Sequence, residues 1–232
     1  MTEHRLALVV GANRGIGLGV TKELLAHGWD VIATARDPSR AKALHELEDA
    51  HPGRVTIPKL DMNDPTALDS FAGTLGGKTL DIVLVNAGVS GPEHRSASAA
   101  TQDETGALMF TNAIAPIRLA RSVADHIKSG SGVLAFTSSV MGSVAENPGG
   151  HELYRASKAA LNSLSRGLWG ELRSKELTMV SMHPGWVRTD MGGSSAAVSV
   201  EDSAAGIVKV LTQQAGAQQH RFLDYTGREL PW

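Results

Sequence analysis

Leu6-Ala-Leu-Val-Val-Gly-Ala-Asn-Arg-Gly-Ile-Gly17 is the stretch on which the fold turns. Its first half, Leu6 to Val10, is an unbroken apolar run of strand length, with no polar face to show to water. Its second half has glycines at 11, 15 and 17, and then Val20, Leu24 and Leu25 at helical spacing up to His27-Gly28. A buried strand that turns through glycines into a helix lets an anion approach the free N–H groups of the helix start. Gly11, Asn13, Arg14, Gly15, Ile16 and Gly17 are therefore candidate pyrophosphate-binding residues. The glycine spacing is common; its place between strand and helix makes it informative.

The same alternation continues outward. Val31–Ala35, Val55–Ile57, Ile82–Val85, Val133–Phe136 and Met179–Met182 read as further buried strands, and Arg221–Leu223 as an edge strand. Between them, helices are expected after Pro38 and after Asp64-Pro65, over Thr105–Ile127 with a kink or break at Pro116, from the Tyr154 region onward, and from a Ser199 cap through Leu211. Strand alternating with helix predicts an α/β fold, a doubly wound (Rossmann) parallel sheet with helices on both faces, as a single domain over residues 1–232. In such sheets ligands bind beyond the carboxyl ends of the strands. Gly11–Gly17, Ala35-Arg36, Asp61, Asn86–Gly88, Ser138-Ser139 and Pro184-Gly185 all follow strands, so they should share one rim.

Composition narrows the function classes. The 232 residues are 42% hydrophobic and 20% charged with net charge −2, an ordinary globular balance that argues against nucleic acid as a partner. No apolar run approaches the roughly 18 residues of a membrane span, and no signal-peptide pattern opens the chain. There is no cysteine, which suits a cytoplasmic location and removes thiolate chemistry. None of the nine histidines falls in a paired metal-ligand spacing, so no metal site is expected.

The end of the second strand speaks to the cofactor. An acid about 20 residues beyond the glycines would bind a ribose 2′-hydroxyl. Here that position is Ala35, followed by Arg36, with Arg14 in the glycine loop and Arg40 one turn on. Guanidiniums hold a 2′-phosphate that an acid would repel, so NADP(H) is expected over NAD(H). Asp37 and a purely solvated role for Arg36 and Arg40 stand against that reading.

A second anomaly lies in the helix that carries Tyr154 and Lys158. Leu161, Leu164, Leu168 and Leu172 mark an apolar stripe, and its backward extension passes through Lys158 and Tyr154. Residues four apart share a helix face. A lysine there favours tyrosinate, lowering a pKa that starts near 10, and such a tyrosine can exchange a proton with a carbonyl oxygen. The bland alternative is an amphipathic helix on which both side chains snorkel.

Together these motifs resemble the short-chain dehydrogenase/reductase family over essentially the whole chain. The resemblance implies that Asp61, with Met62 beside it, lies at the adenine, and that Asn86-Ala87-Gly88 lines the cofactor. It implies that Asn112 completes the active site by holding a water near the lysine. Ser139 would hydrogen-bond the substrate carbonyl, with Ser138 as its competitor. Tyr154 would be the acid/base, and Lys158 would bind the nicotinamide ribose and tune the tyrosine. Pro184, Gly185, Val187 and Thr189 would contact the nicotinamide end. Three departures accompany it: Val10 in place of a threonine, an expanded Glu146–Gly150 loop, and a short segment at Gly192–Ala197 where relatives carry a substrate lid. The segment from His183 to Gly193 and the ending Asp224–Trp232 resemble the Sniffer/C-factor-like carbonyl reductase branch.

The expected function is NADPH-dependent reduction of a small-molecule aldehyde or ketone, with Met141, Trp186 and Met191 as candidates either to line the pocket or to pack in the core. The alternatives are a non-catalytic dinucleotide sensor and a C-factor-like signalling protein. Ala156, Ala159, Ala160 and Ser163 would let the Tyr154 helix pack closely in a homodimer or homotetramer.

Overall fold

A computed structural model describes residues 5–232. Seven strands form one parallel sheet: β1 (Leu6–Val10), β2 (Asp30–Ala33), β3 (Val55–Thr56), β4 (Ile82–Val85), β5 (Val133–Thr137), β6 (Thr178–His183) and β7 (His220–Asp224), in the order β3-β2-β1-β4-β5-β6-β7. The order reverses direction at β1, and the crevice beyond the β1 and β4 ends is where such sheets bind ligands. This is the expected doubly wound Rossmann architecture.

Continuous apolar strands arise because both faces are covered. Ala7 and Val9 pack with Val20, Leu24 and Leu25 of α1 (Gly15–Ala26), Leu44 of α2 (Lys42–Ala50), and Ala204, Ile207 and Leu211 of α7 (Val200–Gln213). Leu8 and Val10 point the other way. They pack with Leu68 of α3 (Pro65–Ser70), Ile117 and Leu119 of α5 (Ala115–Val123), and Leu161 and Leu168 of α6 (Glu152–Glu171). Caps act where the sequence places them: Asp64 accepts from the N–H groups of Thr66 and Ala67, and Ser199 from that of Asp202.

Boundaries differ in instructive places. β2 ends at Ala33, and Ala35 joins β3's chain only through an isolated bridge to Lys59, because Pro58 has no N–H to continue the ladder. The expected long helix over Thr105–Ile127 is three pieces. α4 (Gln102–Met109) starts earlier, on a Thr101/Glu104 capping box. A π-turn follows over Phe110–Ile114 and then α5, with Pro116 in its first turn. The wide turn absorbs the proline's missing donor and seats Asn112, fully buried, toward the rim.

Beyond β7 the chain doubles back. The N–H of Asp224 donates to the Arg228 carbonyl at 2.9 Å, that of Leu230 to the Phe222 carbonyl at 2.8 Å, and Leu223 bridges Glu229 antiparallel. Among the described residues no helix is long and apolar enough to cross a membrane, and no group of three or more acidic or histidine side chains is placed to hold a metal.

Candidate active site

The glycine loop is fastened from the strands on either side of β1. The Gly11 N–H donates to Thr34 Oγ1 at 3.2 Å, and the Gly11 carbonyl accepts from Asn86 Nδ2 at 3.2 Å. Val10 cannot brace the loop, since its side chain is buried in the core on the α5/α6 face. A Cβ on Gly17 would lie 2.2 Å from the Gly11 carbonyl oxygen, so only glycine lets α1 tuck beneath the loop. α1 starts at Arg14 without a side-chain cap, which leaves its first-turn N–H groups available to an anion. This cradle fits a dinucleotide pyrophosphate.

At the β2 end, Ala35 is buried, and Arg36 and Arg40 are exposed and ion-paired with nothing among the described residues. The Asp37 carboxylate is occupied by its own turn, accepting from the Ser39 N–H at 3.1 Å and the Ser39 hydroxyl at 2.6 Å. Arg14 does not join the other two arginines: its Nη1 lies 2.6 Å from Asp190 Oδ2, across the rim. Asp61 Oδ1 accepts from the Asn63 N–H, Asn63 Oδ1 accepts from Thr111 Oγ1 in the π-turn, and Met62 is buried.

The chemical centre lies between β4, β5 and α6. The Ser139 side chain is near enough to the Tyr154 hydroxyl to favour its ionised form. Lys158, 3% exposed, donates from Nζ to the Thr137 carbonyl at 2.8 Å and stands 5.7 Å from the centre of the Tyr154 ring. The sequence reading has Lys158 drawing the tyrosine toward neutrality, and burial of the two groups acts against that. Burial pushes Tyr154 up to about 12, opposed in part by the nearby Ser139 side chain, and burial pushes Lys158 down to about 8.

Asn112 is held by its whole side chain. Its Oδ1 accepts from the Val89 N–H at 2.8 Å, and its Nδ2 donates to the Val89 carbonyl at 2.8 Å and to Ser157 Oγ at 3.0 Å. The expected water would therefore meet its backbone, where Pro116 has no N–H to offer the Asn112 carbonyl. The two serines separate: Ser138 Oγ donates to Asn162 Oδ1 at 2.7 Å, inside the protein, whereas Ser139 Oγ accepts from the Met141 N–H at 3.1 Å and lies near the Tyr154 hydroxyl.

Two further expectations change. Leu164 does not belong to the inner stripe of α6, being 38% exposed, and Leu172 is half-buried. The inner face runs through Leu153, Ser157, Lys158, Leu161, Asn162, Ser165 and Leu168, so small polar residues take places that an apolar count assigns to leucine. Trp186 and Met191, 56% and 53% exposed, are not core residues; Met141 is half-buried. The Trp186 indole N–H donates to the Gly192 carbonyl at 2.9 Å, which holds the ring across the short segment after Thr189.

Sequence reasoning missed Thr34 and Thr137, both hydrogen-bonded into the rim, and the exposure of Val89 and Val144 on the loops that leave the Asn86–Gly88 and Ser139 motifs. The only signal for the valines is an apolar residue following a rim motif where a polar loop residue is expected.

A doubly wound sheet with a glycine cradle at its β1 end and a Ser–Tyr–Lys cluster beyond β5 defines an oxidoreductase of the short-chain dehydrogenase class. The chain belongs to that family: the family described as "short chain dehydrogenase" matches residues 5–199. In particular, it is similar to a carbonyl reductase from Pseudomonas aeruginosa PAO1, solved in complex with NADP, at 41% identity over 99% of this chain and 100% of that one, with a TM-score of 0.91. Carbonyl reductase Sniffer of D. melanogaster is 31% identical over 99% of this chain and 100% of its own, with a TM-score of 0.89. The C-signal protein of Myxococcus xanthus is 37% identical over 166 residues, 70% of this chain and 99% of that protein. These likenesses bear out the resemblance to the Sniffer/C-factor-like branch.

Proposed function

We propose that the chain is an NADPH-dependent reductase of aldehyde or ketone carbonyls, acting as one domain in a cytoplasmic homodimer or homotetramer. The observation that carries this reading is the placement of Tyr154, half-buried beside Ser139, with the buried Lys158 ammonium 5.7 Å from its ring centre. A carbonyl that accepts hydride must gain a proton, and a tyrosine that keeps its proton across the physiological range is set to donate it. When bound, NADPH supplies the hydride from C4 of its nicotinamide.

The chain's own residues do the rest. Ser139 donates to the carbonyl oxygen and withdraws charge from the carbon, and Tyr154 protonates that oxygen as charge develops. Lys158 has two further Nζ donors beside its Thr137 contact and would use them on the ribose hydroxyls, and its positive charge lowers the cost of leaving tyrosinate behind. Asn112 holds Val89 and α6 together and offers its carbonyl to a relay water. Gly11, Asn13, Gly15, Ile16 and Gly17 hold the pyrophosphate, and Arg36 and Arg40 hold the 2′-phosphate, a role that suits two guanidiniums ion-paired with nothing among the described residues. Asp61, Met62, Asn86, Ala87, Gly88, Pro184, Gly185, Val187 and Thr189 line the remainder. The exposed Trp186 and Met191 suit an open site for partly apolar carbonyls. Ala156 and Ser163 are exposed on α6, as a close helix–helix contact between copies would need.

The likeness to the C-signal protein favours a second reading, in which the cofactor is bound for signalling and no turnover is required. NADPH oxidation over a panel of aldehydes and ketones separates the two. The reductase reading expects turnover that Tyr154→Phe cuts by about 10³ while NADPH still binds. Binding without turnover in the wild type overturns it.

A further inference from the structure

The glycine loop and the catalytic helix are connected by one continuous line of hydrogen bonds along the rim. Thr34 Oγ1, at the end of β2, accepts from the Gly11 N–H at 3.2 Å; the Gly11 carbonyl accepts from Asn86 Nδ2 at 3.2 Å. Asn86 Oδ1 accepts from Thr137 Oγ1 at 3.1 Å, and the Thr137 carbonyl accepts from Lys158 Nζ at 2.8 Å. The line crosses four neighbouring strands, from β2 through β1 and β4 to β5.

Its chemistry leaves little freedom. A carbonyl only accepts, so the Asn86 amide must turn its nitrogen to Gly11 and its oxygen to Thr137. Thr137 must then spend its one hydroxyl proton on Asn86. Thr34 is fixed at three points, since its N–H donates to the Val9 carbonyl and its carbonyl accepts from the Ala12 N–H, both at 2.9 Å. Thr34 is 1% exposed, so its hydroxyl is a buried acceptor that nothing in solution replaces. Gly11 sits at φ +76°, where the loop has no side chain of its own to steady it.

We propose that Thr34 and Thr137 are positioning residues that set the glycine loop relative to Lys158, so that the pyrophosphate end and the ribose end of the cofactor are registered by one network. Neither touches the reacting atoms. The inference rests on the reading of this rim as the dinucleotide site and adds how the two ends of that site are held in step.

The test uses Thr34→Val, Thr137→Val, the double variant, and serine at each position, in the full chain. NADPH affinity is measured by fluorescence titration, and amide exchange at Gly11 without cofactor. Each valine should weaken NADPH binding about fivefold, the size of one net hydrogen bond, and serine should restore it. The double variant should weaken binding by less than the product of the single effects, because breaking either end slackens the same line. Thr137→Val should also speed exchange at Gly11, one strand beyond any residue it touches. Affinity within twofold of wild type in either valine variant overturns the proposal, as do multiplicative effects that serine does not restore. Alanine variants read the same quantities should a valine fail to pack. If wild type binds no NADPH, the site reading falls with it; if wild type binds and the variants match it, only this proposal falls.

Discussion

Ser138 Oγ donates to Asn162 Oδ1 at 2.7 Å in the buried seam between β5 and α6, and Asn162 Nδ2 reaches the Gly142 carbonyl at 3.4 Å. Ser138 thus serves to seat the catalytic helix. Ser138→Ala should leave kcat within about threefold and lower unfolding free energy by roughly 1–2 kcal/mol, the cost of an unpaired buried amide. Ser139→Ala should cut kcat by about 10², with stability nearly unchanged. Steady-state kinetics and urea denaturation of the two variants check both halves.

NADPH affinity should fall as pH rises through about 8, because burial pushes Lys158 down to about that value and the neutral amine loses its charge. Tyr154, pushed up to about 12, titrates too high to contribute to that decline. Titrations between pH 6 and 10 test this; a flat profile contradicts it.

The same lysine burdens the fold. The unfolded chain keeps the proton up to 10.5 and the folded chain releases it near 8, so stability rises with pH across that window and the penalty is in full force below it. Lys158→Met should therefore stabilise the chain at pH 7 by about 2 kcal/mol, after allowing for the orphaned Thr137 carbonyl, and remove activity. Urea midpoints at pH 7 and pH 10 should converge in the variant.

Acid should unfold the chain through two histidines. Burial pushes His183 down to about 4, with Asp224 opposing and Arg228 reinforcing; burial pushes His220 to about 4, reinforced by Arg166. His220 also faces Ser165, Ser181, Trp169 and Trp232, and among the described residues the Nδ1 atoms of both histidines find no partner. The unfolded forms take up protons near 6.5, so stability is lost as pH falls from about 6.5 to 4. His220→Gln should remove a large part of that loss, on the order of 3 kcal/mol at pH 4, measured by denaturant unfolding.

Arg36 and Arg40 should separate the two dinucleotides. Arg36→Ala with Arg40→Ala should weaken NADPH about 10²-fold, as two charge-assisted contacts to a phosphate are lost, and leave NADH nearly unmoved. Equal losses for both cofactors would place these arginines elsewhere.

The strands were legible because burial on both faces writes itself as unbroken apolar runs: Leu6–Val10 and Ile82–Val85 have the same limits in sequence and structure. Ordered strand ends then placed the rim, and the Tyr154/Lys158 spacing placed the chemistry on it. The π-turn was not legible, since Pro116 announces only that a helix must yield and not how. Nor was the inner face of α6, where Ser157, Asn162 and Ser165 are buried through partners far along the chain. The burial of Tyr154 and Lys158 was hidden for a similar reason: spacing reports that two groups are near, while desolvation depends on everything packed around them.

The return of Arg228–Leu230 along β7 has a consequence for how the molecule meets its own copies. An open edge strand is a template for another chain's backbone. Here one margin of the sheet is already occupied by the protein's own tail, and the opposite margin, β3, is only two residues long. Neither offers a ladder for a neighbour to extend. Any association between copies would then be written in side chains, which can discriminate, rather than in a shared backbone ladder.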